Sequence, residues 1–150
     1  TFEPPLNHFE PPLNHLTPSS IMPVEKFEDL MIWQLARELC KTIYAMVRKP
    51  EFKQDYRFVS QITAAVGSVM DNIAEGFERN GNKEFLNFLF IAKGSCGEVQ
   101  SQLYRAYDCE YISKDEFEEA MQQAKAESVK IMNFIQYLKK SDFKGAKNIN

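Results

Sequence analysis

Apolar side chains that recur at steps of three and four residues constrain this chain more than any other feature. The steps are clearest in three segments, whose apolar stripes begin at Val59, Phe85 and Phe117. Side chains at such steps lie on one face of an α-helix, whereas a half-buried strand alternates apolar and polar residues. No alternating run of that type occurs in the sequence. The pattern therefore predicts helices that each bury one long face.

Helix end signals divide the pattern into four helices, expected at about residues 27–49, 58–79, 83–109 and 113–138. Pro50 should end the first helix, and Ser113 with Glu116 forms a capping-box pattern that opens the fourth. The near-heptad stripes and short connections predict an all-α fold, an antiparallel, left-handed four-helix bundle with up-down-up-down order. We expect Gly94 and Gly97, inside the third helix, to permit close approach of a neighbouring helix.

The first 22 residues differ from the rest of the chain because a heptapeptide, Phe-Glu-Pro-Pro-Leu-Asn-His, occurs twice in succession. Paired prolines remove backbone donors and disfavour helix. We predict a disordered Pro-rich tail at residues 1–22, the bundle at residues 23–140 and a frayed tail at residues 141–150. A short docking peptide is the alternative interpretation of the repeat.

Bulk properties indicate a cytoplasmic protein of one domain. The chain has 150 residues and a net charge of -3, so bulk charge alone would not hold nucleic acid, although a local basic face could. No membrane-spanning run or signal peptide is evident, and we expect Cys40, Cys96 and Cys109 to be reduced and buried. The 12 Phe, 6 Tyr and 1 Trp exceed what one small bundle readily hides, which predicts a homo-oligomer.

The common catalytic and metal-binding patterns are missing from the predicted bundle. Both histidines, His8 and His15, precede it, so a di-metal Glu-x-x-His site and a Ser/His or Cys/His nucleophile are excluded. The cysteines are too scattered for a zinc cluster, and no glycine-rich phosphate loop joins a strand to a helix. We therefore predict no catalytic residue, metal or cofactor, and a non-enzymatic function.

Two polar stripes run beside the apolar faces of the second and third helices. Their members are expected to face each other: Gln61, Ser68, Asn72 and Glu75 on one helix, and Ser95, Glu98, Gln102 and Arg105 on the next. One interpretation is a structural network, such as Asn72 or Glu75 bonded to Ser95 or Glu98, that fixes helix register. The other is a polar binding groove.

Basic residues line one face of the first helix and continue into the connection that follows it. The set is Arg37, Lys41, Arg48, Lys49, Lys53 and Arg57. Such a strip could contact phosphates. The alternative is a solvated helix face, since Glu38 and Glu51 dilute its charge.

Several separated motifs resemble one family, the four-helix-bundle proteins encoded within intervening sequences of bacterial 23S ribosomal RNA genes. Accessory variability proteins of diversity-generating retroelements are a related branch. The matching residues are Phe27-x-Asp29-Leu30-x-x-Trp33-Gln34-x-Ala36, Gln61, Ser68-Val69-x-x-Asn72-Ile73-Ala74-Glu75-Gly76, Lys83-Glu84-Phe85, Phe88-Leu89, Ile91-Ala92, Gly94-Ser95 and Glu98.

The resemblance implies a bundle that assembles into a ring, usually a pentamer, and that binds nucleic acid or ribonucleoprotein partners. Many members carry a proline where this chain has Met70, and adjacent basic residues where it has Thr63 and Ala64. The absence of those basic residues weakens the expectation of nucleic-acid binding for this member. Our first hypothesis is an oligomeric bundle that binds RNA, such as ribosomal RNA, and our second is a protein–protein adaptor.

Overall fold

A computed structural model describes residues 24–140, and within them every regular element is a helix. A 3₁₀ turn at Phe27–Asp29 precedes five α-helices: α1 (Met31–Met46), α2 (Pro50–Gln54), α3 (Tyr56–Glu78), α4 (Asn82–Asp108) and α5 (Lys114–Lys140). The predicted all-α class is confirmed. The predictions for residues 1–22 and 141–150 lie outside the described residues.

The first predicted helix, residues 27–49, is divided into two pieces, the 3₁₀ turn and α1, and a further short helix, α2, follows it. Leu30 has extended backbone (φ -74°, ψ 125°) and separates the 3₁₀ turn from α1. The role expected of Pro50 was wrong, because α1 already ends at Met46 and Pro50 opens α2 instead. Proline suits the first turn of a helix, where its missing N–H would have no intrahelical partner.

Side chains cap the N-termini of α3 and α5. The capping box before α5 is confirmed: the Ser113 backbone N–H donates to Glu116 Oε1 over 2.9 Å, and the Glu116 N–H donates to Ser113 Oγ over 3.2 Å. Asp55 caps α3 by accepting from the Phe58 N–H over 3.2 Å. Such caps each stabilise a helix by about 1 kcal/mol and fix where the chain enters it.

The four long helices enclose a core that falls into two apolar clusters. Helix α1 packs on α3 and α5, while α4 also packs on α3 and α5. The first cluster lies toward α2 and includes Leu39, Ile62 and Leu103. The second lies toward the 3₁₀ turn and includes Ile73 and Ile131.

Gly76 lies in a close contact between α3 and α4, and the expectation for Gly94 and Gly97 was wrong. A Cβ on Gly76 would lie 2.6 Å from Phe88 Cβ and 3.0 Å from Phe85 Cδ1, whereas nothing lies within 4 Å of one on Gly94 or Gly97. Both of those glycines are exposed, because they lie on the side of α4 away from its apolar stripe.

We predict that Gly76→Ala destabilises the fold by about 1–3 kcal/mol, because the added methyl group overpacks the α3–α4 contact. Urea unfolding measures the change. Gly94→Ala is the matched control and should be neutral or stabilising by up to about 1 kcal/mol, since alanine is the better helix former. Equal stability of the two variants would contradict the assignment of the close contact to Gly76.

Candidate functional site

One outer face of α1 carries Arg37, Lys41 and Tyr44. Arg48, which was expected on the same helix, lies in the turn that follows its end at Met46. The four residues follow at steps of 4, 3 and 4 in sequence, and all four are exposed. At 1.5 Å per residue the helical part of the row, from Arg37 to Tyr44, extends about 10 Å along α1. We call these four residues the basic face. The opposite side of α1 faces the core, so the core positions this row on the surface.

The cations of the basic face are only lightly engaged by their neighbours. The Arg37 guanidinium carbon lies 5.9 Å from the centre of the Trp33 ring. Lys41 Nζ lies 2.9 Å from Glu38 Oε1, and both side chains are 59% exposed. An ion pair this exposed contributes little stability, so a phosphate can compete with Glu38 for Lys41.

The next three cations after Arg48, which are Lys49, Lys53 and Arg57, differ in their surroundings. Lys49 is half-buried and forms an ion pair with Glu116, the glutamate of the α5 capping box. Its hydrogen bond, followed by the bond from the Ser113 backbone, lowers the pKa of the Glu116 carboxyl. Lys49 therefore joins the start of α2 to the start of α5, whereas Lys53 and Arg57 are exposed.

Two exposed tyrosines lie close in sequence to these cations, and sequence reasoning did not include either of them in the phosphate-contacting set. Tyr44 is 46% exposed within the basic face, and Tyr56, between Lys53 and Arg57 in sequence, is 81% exposed. The signal for Tyr44 was its helical step from Arg37 and Arg48, outside the apolar stripe of α1.

The α3–α4 contact contains polar bonds at two levels. At the first, the Ser68 and Ser95 hydroxyl oxygens lie 2.8 Å apart, and Asn72 Nδ2 donates to Ser68 Oγ over 2.8 Å. At the second, Arg105 Nη1 lies 3.5 Å from Gln61 Oε1, and the guanidinium carbon of Arg105 lies 4.4 Å from the centre of the Phe58 ring.

The other two members of the predicted network bond within their own helices. Glu75 Oε1 accepts from Arg79 over 2.9 Å in α3, and Glu98 Oε1 accepts from Gln102 over 3.3 Å in α4. Both glutamates are exposed, so each reaches a partner one turn away on its own helix instead of crossing to the neighbouring one. The predicted cross-helix pairings of Glu75 and Glu98 were therefore wrong.

Glu127 is a buried carboxyl that sequence reasoning also missed. Its side chain is fully buried on α5, and neither carboxyl oxygen has a hydrogen-bond partner among the described residues. Burial raises its pKa from 4.5 to about 8. The apolar stripe of the fourth helix was expected to pass through Ser128. Residue 127 fits the three-four steps between Ala124 and Ile131 equally well, so periodicity alone could not choose between them.

The cysteines are free thiols in two different environments. Burial raises the pKa of Cys40 to about 11 and that of Cys96 to about 12, so both thiols stay protonated at neutral pH. Cys109 is exposed after the end of α4, where the chain turns toward α5, so the expectation of burial was wrong there.

A second surface feature is an apolar groove of about 660 Å³ between α4 and α5. Its floor includes Phe117 and Met121, and its rim includes Lys125. Tyr104, which is 52% exposed, and Val129, which is 59% exposed, also line it. Between residues 24 and 140, no group of three or more His, Cys, Asp or Glu side chains could hold a metal ion. None of the described helices has the length and apolarity needed to cross a membrane.

We predict that the free energy of unfolding falls as pH rises from about 5 to 9. Glu127 holds its proton up to a higher pH in the folded chain than after unfolding, so the folded state binds more protons in the interval between the two pKa values. Glu127→Gln removes this titration and should flatten the pH dependence of the melting temperature. Glu119→Gln, on the exposed side of the same helix, is the control. A parallel pH dependence in wild type and Glu127→Gln would show that Glu127 does not titrate in this interval.

Comparison with known proteins agrees with this architecture. The family model for the 23S rRNA-intervening sequence protein matches residues 28–134. A crystal structure of a protein of unknown function, from the S23 ribosomal protein family of Bacteroides thetaiotaomicron, is similar with a TM-score of 0.65 and 19% identity. That match covers 71% of this chain and 99% of the other. No curated protein matches the chain. Since the family model spans most of the described helices, the chain belongs to the 23S rRNA-intervening sequence protein family.

Proposed function

We propose that this protein is a non-enzymatic, cytoplasmic, RNA-binding helical bundle. The basic face of α1, extended by Lys53 and Arg57, is its contact with RNA. The observation that carries the proposal is the position of Arg37 and Lys41 on one exposed side of α1, whose other side faces the core, with Arg48 exposed in the turn that follows. The name of the family favours ribosomal RNA as the target.

A local cationic row can bind RNA although the whole chain carries a net charge of -3. Phosphate contacts act within about a Debye length, which is near 8 Å at physiological salt. Distant acidic side chains therefore oppose binding only weakly. Lys49 is not in the proposed contact set, because its ammonium group is already paired with Glu116.

The proposed topology is a left-handed bundle in up-down-up-down order, and the contacts between α3 and α4 support the antiparallel order of those two helices. Across the α3–α4 contact, Gln61 meets Arg105, Ser68 meets Ser95 and Gly76 meets Phe88. The partner number falls as the α3 number rises, as expected for antiparallel neighbours joined by a short loop.

The triple variant Arg37→Ala/Lys41→Ala/Arg48→Ala should bind ribosomal RNA more weakly without unfolding. Loss of three phosphate contacts should lower the slope of log affinity against log salt by about 2–3. Fluorescence anisotropy across a salt series measures both the affinity and the slope.

The control for this experiment is a second triple variant, Lys114→Ala/Lys139→Ala/Lys140→Ala, which removes the same charge from α5 outside the groove. All three of these lysines are exposed. If only bulk charge matters, the two triple variants will lose affinity equally, which would contradict the assignment of the basic face. Unchanged affinity of the α1 variant would remove the site altogether.

A second proposal concerns assembly, because the α4–α5 groove offers an apolar surface that one copy leaves open. We propose that it receives a second copy of this chain, in a ring of the pentameric kind that the family resemblance implies. The exposed tyrosine and valine of the groove supply contact area, as at subunit interfaces generally. An adaptor that binds another protein through this groove is the alternative.

We predict that Val129→Asp dissociates the oligomer, because a carboxylate would be desolvated in the apolar contact. Light scattering at several protein concentrations measures the mass. Glu118→Asp, a change in the same groove that keeps the charge, should leave the mass unaltered. A monomeric wild type would contradict this proposal, and a partner recovered from nuclease-treated lysate only with an intact groove would favour the adaptor.

A further inference from the structure

We infer that the RNA taken by this protein is unpaired, and that Tyr56 stacks on one of its bases. The inference rests on the proposed function and adds the class of RNA and the residue that selects it. It starts from the environment of Tyr56. This residue is 81% exposed, whereas the phenylalanines close to it in sequence are buried.

The backbone that carries Tyr56 is fixed on two sides. Asp55, the residue before it, accepts from the Phe58 N–H over 3.2 Å through Oδ1. Its Oδ2 accepts from the Tyr111 hydroxyl over 2.9 Å, which connects the start of α3 to the loop before α5. Tyr56 is therefore the first residue of a helix whose N-terminus is held in place, so its ring projects from a rigid base.

The aromatic side chains near Tyr56 that belong to the core pack against one another. Phe52 and Phe58 stack with their ring centres 5.1 Å apart, and Tyr111 lies 5.1 Å from Phe52. Phe52 is completely buried and Phe58 nearly so. Tyr56 adds nothing to this cluster, which leaves the face of its ring available to a ligand.

Cations flank the exposed rings on both elements. Lys53 and Arg57, both exposed, lie on either side of Tyr56 in sequence, and Tyr44 lies between Lys41 and Arg48 on the basic face. An exposed ring among cations is the combination that binds single strands, since the cations contact phosphates while bases stack on the rings. A duplex keeps its base faces inside the helix and presents mainly phosphates and 2′-hydroxyls. Two open rings therefore favour unpaired RNA.

The test is anisotropy titration of the full chain with a fluorescent single-stranded oligoadenosine and with an RNA duplex of the same length. Wild type should bind the single strand more tightly. Tyr56→Ala should weaken single-strand binding about fivefold to a hundredfold and change duplex binding less than about twofold, since one stacked base is lost. Tyr56→Phe keeps the ring and should bind as wild type does. Phe90→Ala removes an exposed ring that lies outside both the basic face and the groove, and it should have no effect.

The exposure of Tyr56 predicts that the alanine variant folds normally, which an unchanged melting temperature would verify. Equal affinity of wild type for both RNAs, or full single-strand affinity of Tyr56→Ala, would overturn the inference and leave the proposed function standing. Binding to neither RNA at low salt would overturn the proposed function and this inference with it.

Discussion

The contact between α3 and α4 sets the positions of the other helices. Three kinds of interaction hold it. Gly76 leaves room for the side chain of Phe88, and the hydroxyls of Ser68 and Ser95 are hydrogen-bonded. The guanidinium of Arg105 lies over the Phe58 ring and near the Gln61 side-chain amide. Two helices that pack through apolar stripes alone can shift by one heptad at a modest cost in free energy. Paired hydroxyls and a glycine opposite a phenylalanine match in only one register. Helix α1 packs on α3, and α5 packs on α4. The register of the α3–α4 contact therefore also determines which side of α1 faces water.

Polar groups inside the bundle act differently according to whether they have partners. Ser68, Asn72 and Ser95 satisfy one another, so their burial specifies the contact at little cost. Glu127 has no partner among the described residues and is buried beside apolar surfaces, which costs stability once it ionises. The bundle thus combines one polar contact that fixes its geometry with one carboxyl that makes its stability depend on pH.

Much of the fold could be predicted from sequence because helical periodicity is local. The steps from Val59 and Phe85 predicted α3 and α4 to within a few residues, and helical steps also placed Arg37 and Lys41 on one exposed side of α1. The features that the sequence could not predict depend on contacts between residues far apart in the chain. Glu116 lies 67 residues from its partner Lys49, and the packing of Phe88 on Gly76 depends on how two helices meet. Sequence periodicity carries no information about either.

The central claim is that RNA contacts the α1 side of the molecule. Photocrosslinking of the full chain to ribosomal RNA, followed by mass-spectrometric mapping of the modified peptides, tests it most directly. Adducts should occur on the peptides that carry Tyr44 and Tyr56, where exposed rings lie among exposed cations. Adducts confined to the α4–α5 groove, or none above the level of a non-binding control protein, would contradict the account.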